Sequence, residues 1–292
     1  MRVLVIGGNG FLGSYLINHL QEVGFSVLSL NRSASPATSY KYVIANLLEP
    51  KSYESIIEDW KPSIVIQTAW VTDIDSYRTS NLNSQYSQAT IRFAMFCYAQ
   101  GVSHFLGLGS AAEYGDDEDQ CIAGVTQTNP LDTYSLCKVK TSREIQKIAL
   151  EYGGRLTWLR IFQPYGKSQD PRRLIPHIFT ELQLGNSINL ISPTNLLDWI
   201  SARDIASAIT HCLLYELEEF VDVGTGNGTT VLEIGSTICD LLGISRNLLH
   251  NVAQPLEKVT TRLVVGKQSP LLMHGWRAKD SIDSGLKWAL TE

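Results

Sequence analysis

Along the first half of the chain the apolar residues come in short unbroken runs, RVLVI, SVLSL, YVI and SIVIQ, separated by stretches in which they recur at a helical spacing. An unbroken run fits a strand buried on both faces, as in a parallel sheet covered by helices on either side. The intervening periodicity marks those helices, predicted over residues 11–23, 52–59, 84–99 and 133–152. HFLGLGS and RLTWLRI continue the strand series, which is the rhythm of stacked βαβ units. Beyond RLTWLRI the pattern loosens, with Pro164, Pro171, Pro176 and Pro193 punctuating shorter elements. A helix is expected after Ala202, a strand and turn at VDVGTGNG, and an amphipathic helix over 282–290. The expectation is an α/β protein. A doubly wound parallel sheet occupies 1–165, rejoined by part of 196–225, and a smaller lobe occupies 166–292.

The first strand runs into VIGGNGFLGS, where Gly7, Gly10 and Gly13 are spaced G-x-x-G-x-x-G at the start of a helix. Residues without Cβ let the backbone turn tightly and approach a pyrophosphate, whose charge then meets the free N–H groups of the helix N-terminus. In this context the motif reads as a Rossmann-type dinucleotide site made by Gly7, Gly10, Phe11, Leu12 and Gly13. The second strand ends in Asn31-Arg32-Ser33, without the carboxylate that commonly holds the ribose 2′-OH of NAD. Arg32 offers donors suited to a 2′-phosphate, with Asn31 and Ser33 beside it. NADP(H) is therefore preferred, and NAD(H) stays open.

Bulk properties remove several function classes. A net charge of -5 supplies no basic footprint for nucleic acid or an anionic membrane. The sequence shows no apolar run of membrane-spanning length and no signal segment ahead of the first strand, which points to a cytoplasmic protein. Five widely spaced cysteines suit reduced thiols. His211 and Cys212 are adjacent, but neighbours on a helix diverge, so no metal site is expected. The acidic run over 116–119 reads as a solvated loop.

Chemistry enters at YSLCK, where Tyr134 and Lys138 stand at i and i+4 on one helical face. A free phenol ionises near pH 10, so a tyrosine acting as base needs a neighbouring cation; acting as donor to a developing alkoxide, it needs only to be neutral. Ser110 closes the strand HFLGLGS and should emerge at the carboxyl edge of the sheet, where α/β proteins bind ligands. Cys137, inside the motif, is expected to pack against the sheet.

Together with QTAW (67–70), GSAAEYG (109–115), LRIFQPYG (159–166), DWISARDIASAI, HGW and DSIDSGL, these motifs resemble the extended short-chain dehydrogenase/reductases, specifically the sugar-nucleotide epimerase/dehydratase branch. The resemblance spans most of the chain. It implies that Ser110, Tyr134 and Lys138 are catalytic and that Lys138 also holds the nicotinamide ribose. It implies further that Ala69 and Trp70 pass over the cofactor, that Gln163 lies near the phosphates of a nucleotide-sugar substrate, and that two copies pair through the helices at 84–99 and 133–152. Where the 4,6-dehydratases carry an Asp-Glu pair after the catalytic hydroxyl, this chain has Ala111 and Ala112; Glu113 is one residue out of step and should point elsewhere. Where relatives carry a pyrophosphate-binding arginine, this chain has Leu197, so Arg172, Arg173 and Arg262 become candidate replacements by charge alone. The expected activity is NADPH-dependent reduction of the C4 ketone of a nucleotide-linked 4-keto-6-deoxyhexose. An NAD-dependent 4-epimerase and a non-catalytic dinucleotide-binding regulator are the alternatives.

Overall fold

The computed structural model describes residues 1–34, 39–116, 119–251 and 261–291. Its central sheet has seven parallel strands: β1 (Arg2–Ile6), β2 (Ser26–Asn31), β3 (Tyr42–Ile44), β4 (Ile64–Gln67), β5 (His104–Ser110), β6 (Arg155–Ile161) and β7 (Glu219–Val223). They lie in the order β7-β6-β5-β4-β1-β2-β3, so the direction of winding reverses between β1 and β4. A crevice at the carboxyl ends of strands on either side of such a reversal is where open α/β sheets bind ligands.

Alternation within the apolar runs explains both covered faces. Val3 and Val5 of β1 join a cluster with Leu16, Ile17 and Leu20 of α1 (Phe11–Glu22) and with Ile205 and Ile209 of α6 (Ala202–Leu214). Leu4 and Ile6 point the other way, into a cluster with Ile57 of α2 (Glu54–Trp60), Phe93 and Cys97 of α3 (Leu82–Ala99), and Ile145 and Ala149 of α4 (Thr133–Tyr152). The helix expected over 52–59 is preceded by a separate short turn of 3₁₀ helix, Pro50–Ser52. Cys137 is buried, with its Sγ 3.8 Å from Ser84 Oγ of α3, so it belongs to the helix–helix contact rather than to the sheet alone.

Two glycines inside β5 look out of place in a strand. A Cβ on Gly107 would collide with the ring of Trp158 on β6, and one on Gly109 with the Trp158 indole and the Glu113 carboxylate. The bare backbone admits a wholly buried tryptophan directly behind Ser110.

A third hydrophobic cluster is built from α5 (Leu174–Gln183), α7 (Val231–Leu242), the closing helix Ile282–Thr291 and short strands such as Ile188–Leu190. Around it lie minor sheets, including Trp199–Ser201 paired with Gln163–Tyr165. Asp198, fully buried, accepts hydrogen bonds from the amides of Thr225, Gly226 and Val265, tying the turn after β7 to this region.

Candidate active site

One continuous cleft of about 850 Å³ runs along the carboxyl edge of the sheet from the glycine turn to Leu263. Its first section is built by the turn after β1. Gly7 has φ of 90°, in the left-handed region, and a Cβ there would stand 2.7 Å from Thr68 Oγ1 and 2.8 Å from the Ala69 nitrogen. Gly13 packs so closely on the turn that any side chain would meet the Gly7 carbonyl. Gly10 caps α1 without a side-chain hydrogen bond, which leaves the helix N-terminus to an anion. Phe11 and Leu12 complete this end of the cleft. A cradle that side chains would fill, at the positive end of a helix dipole, fits a dinucleotide pyrophosphate.

At the end of β2 the three expected residues divide their roles. Arg32 is exposed and lines the cleft. Asn31 is fully buried and outside the lining; its Oδ1 accepts from the Asn9 amide (3.2 Å) and from the Ser29 hydroxyl (2.7 Å). Ser33 is likewise outside the lining and accepts from Asn9 Nδ2 at 3.4 Å. Asn31 and Ser33 thus shape the glycine turn through Asn9, and among the three only Arg32 presents its side chain to the cleft. Ala69 and Trp70 line the opposite wall, where the buried Trp70 donates from Nε1 to Asn83 Oδ1 at 2.8 Å.

The serine, tyrosine and lysine converge in the middle of the cleft. Asp132 caps α4 by accepting from the Ser135 amide at 2.8 Å, and the free N–H of Tyr134 is taken by the Arg78 carbonyl at 3.0 Å. That start to the helix brings the Tyr134 phenol to the Ser110 hydroxyl's side of the cleft, near enough for the hydroxyl to act on its ionisation. Burial pushes the phenol's pKa well up; the Ser110 hydroxyl and the Arg173 charge oppose this, while Tyr77 and Glu113 add to it. One turn on, Lys138 is 3% exposed, donates to the Leu108 carbonyl at 2.6 Å and lies 3.7 Å from the centre of the Trp70 ring and 5.8 Å from that of Tyr134. Desolvation brings its pKa down to about 7, against the pull of Glu113. Ala111 and Ala112 line the cleft beside Ser110, and Glu113 turns into the core.

The far wall distinguishes the candidate cations. Arg172 is exposed, outside the lining, and paired with Asp170 (2.7 Å), Asp75 (2.5 Å) and Asp73 (3.5 Å). Arg262 pairs with Asp119 at 3.2 Å and is also outside the lining; Asp117 and Glu118 of the acidic run lie outside the described residues. Arg173 is half-buried in the lining, with its guanidinium 5.0 Å from the centre of the Tyr77 ring. Gln163 and Leu197 line the same section. Tyr77 and Arg78 were not singled out from the sequence: the Tyr77 ring stands edge-on to Tyr134 at 5.2 Å, and Arg78 bridges it to Asp132. They lie on a segment without regular periodicity, and no motif marks them. Among the described residues no group of three or more His, Cys, Asp or Glu could hold a metal ion, and no helix is long and apolar enough to cross a membrane.

A glycine cradle at the switch point of a doubly wound sheet, open onto a hydroxyl, a phenol and an amine, defines the class of dinucleotide-dependent enzymes acting on alcohols and ketones. Within that class the chain belongs to the NAD dependent epimerase/dehydratase family, whose model matches residues 3–224. It is 24% identical to the putative UDP-glucose 4-epimerase of Methanocaldococcus jannaschii over 98% of this chain and 96% of that protein. To the dTDP-4-dehydro-6-deoxyglucose reductase of Escherichia coli it is 23% identical over 97% and 95%. Among solved structures, the UDP-glucose 4-epimerase of Thermus thermophilus in complex with NAD matches with a TM-score of 0.87 at 23% identity, covering 99% of this chain and 98% of that one. The extended short-chain dehydrogenase/reductase fold expected from the motifs is therefore the fold observed.

Proposed function

We propose that the protein reduces the C4 ketone of a nucleotide-linked 4-keto-6-deoxyhexose with NADPH. The observation that carries this reading is the end of β2, where Arg32 lines the cleft and no carboxylate accompanies it. A guanidinium there suits the 2′-phosphate of NADP(H), a cofactor that a reductase exchanges at every turnover. Ala111 and Ala112 put no carboxylate at the two positions that follow Ser110, where the dehydratases carry the pair that moves protons during elimination.

The cofactor, when bound along the cradle, supplies hydride to the ketone carbon. Tyr134 donates its phenolic proton to the developing alkoxide, and its raised pKa keeps the phenol neutral and ready for that direction of reaction. Ser110, which lines the cleft beside the same phenol, steadies the ketone oxygen. The Lys138 ammonium holds the ribose and stabilises the phenolate left behind. Arg173 and Gln163 receive the substrate's diphosphate, with Arg173 standing in for the arginine replaced by Leu197. Two copies pair through α3 and α4, which carry exposed Leu82, Met95, Leu136 and Leu150.

The test is a panel of nucleotide 4-keto-6-deoxysugars assayed for NADPH oxidation, with NADPH and NADH titrated against parent and Arg32→Ala. Reduction of at least one sugar is expected. Arg32→Ala should weaken NADPH binding about tenfold or more and leave NADH unchanged. Equal affinity of the parent for both cofactors would overturn the cofactor assignment. A second reading, the NAD-dependent 4-epimerase, is supported by the similarity to 4-epimerases across the whole chain. NAD retained through purification, without consumption of added NADPH, would establish it. Cofactor binding with no sugar turned over would point instead to a regulator.

A further inference from the structure

Behind the catalytic serine lies a charged group that none of these steps uses. Glu113 is 0% exposed, and its Oε1 accepts from the Ser110 amide at 3.0 Å and from Trp158 Nε1 at 2.9 Å. Its Oε2 accepts from Arg160 Nε at 2.9 Å, in an ion pair withdrawn from solvent on both sides. Arg160 is itself held: Nη1 donates to the Tyr114 hydroxyl at 2.8 Å, that hydroxyl donates to Asp222 at 2.7 Å, and the rings of Tyr114 and Phe220 lie 4.6 and 4.8 Å from the guanidinium. Burying an ion pair in this way contributes little net stability compared with apolar side chains of the same size. What it does provide is orientation, because both carboxylate oxygens accept directional hydrogen bonds, two at Oε1 and one at Oε2.

The inference rests on the reading of Ser110, Tyr134 and Lys138 given above. We propose that Glu113 is a positioning residue of the active site: it fixes the Ser110 backbone, and with it the hydroxyl that meets Tyr134, and it sets a buried negative charge behind the Lys138 ammonium. Four groups besides Glu113 face that ammonium: the Leu108 carbonyl of β5, Tyr134 on its own helix, Trp70 from the segment after β4, and Trp158 of β6. Of these surroundings Glu113 carries the charge that favours the protonated lysine, opposing the larger effect of desolvation.

Glu113→Gln retains the shape and an acceptor for the Ser110 amide but removes the charge. Its kcat for ketone reduction should fall about tenfold with KM within about threefold. The basic limb of its pH profile should move down by about one unit, because the lysine gives up its proton more readily without the counter-charge. Since glutamine leaves Arg160 unpaired, a second variant carrying Glu113→Leu and Arg160→Leu removes both charges and the amide's acceptor together, and should lose about 100-fold in kcat while staying folded. NADPH binding as a function of pH, followed by the fluorescence of the bound cofactor, gives a readout free of turnover, and its basic limb should shift in the same direction in both variants. Folded variants with the parent's kcat and unshifted limbs in both profiles overturn the proposal. If the parent reduces no keto-sugar, the substrate reading fails while the NADPH-binding limb still decides the role of Glu113.

Discussion

Tyr134 and Arg173 face one cleft from opposite walls and are held there by different means. Tyr134 lies in the first turn of a 20-residue helix with a capping box at its N-terminus, and the sheet beneath that helix is buried on both faces. Arg173 precedes a ten-residue helix with no side-chain cap, and its guanidinium rests on the Tyr77 ring, part of an irregular segment. Groups proposed to move protons are thus anchored to long elements with deep packing, where a small displacement would cost rate. Groups proposed to recognise the substrate hang on short elements around a smaller core, where sequence can change without disturbing the sheet.

That contrast can be broken experimentally, and the largest effect should come from the phenol. Tyr134→Phe is expected to cut kcat by about 10² to 10⁴ while leaving cofactor affinity unchanged, as measured by steady-state reduction and NADPH titration; near-normal turnover would remove the tyrosine from its role. Next comes the rigidity of the sheet wall. His104 of β5 is 1% exposed and hydrogen-bonded to Thr157 at 2.7 Å, and burial, with help from Arg155, pushes its pKa from 6.5 down to about 4. The unfolded chain therefore takes up this proton first as pH falls, so about 3 kcal/mol of stability should be lost between about pH 6.5 and pH 4. Denaturant unfolding of parent and His104→Gln across that window isolates the effect, and parallel pH dependences would refute it. The smallest change belongs to the opposite wall. Arg173→Ala should raise KM for the nucleotide sugar about tenfold with kcat within about threefold, whereas Arg172→Ala, which breaks only exposed ion pairs, should change KM by less than about threefold. Equal effects of the two substitutions would erase the distinction between them.

The same division governs what the chain discloses before it is folded. The central strands are legible as predominantly apolar runs, because strands covered on both faces keep little polar side; buried polar residues such as Arg160 and Asp222 interrupt two of them, and the edge strand β3 is exposed at Val43 and Ile44. The glycine turn and the YSLCK pair are equally legible, since their spacing is set by local geometry within one turn or one helix. The minor sheets were missed: strands of two or three residues, such as Leu196–Leu197 and Thr229–Thr230, are too short to show any period. Glu113 could be placed off the cleft by the alternation of side chains, but its partner Arg160 lies 47 residues further on, and nothing local announces the pairing. The separation of Arg173 from Arg172 was half hidden: Asp170 stands two residues before Arg172, but Asp73 and Asp75, which complete its neutralisation, come from a distant segment.

The glycines of β5 carry a last consequence. Neither Gly107 nor Gly109 has a positive φ, so nothing in their backbone calls for glycine; the volume of Trp158 does, joined at Gly109 by the Glu113 carboxylate. Each weakens the strand by roughly 0.5–1 kcal/mol relative to alanine, an expense that an indole lying against bare main chain offsets. Positions 107, 109, 113 and 158 therefore form one steric unit whose members must be exchanged together: a methyl group at 107 requires a smaller residue in place of the tryptophan, one at 109 requires the Glu113 carboxylate to move as well, and either swap would empty the space against which the Ser110 turn is braced.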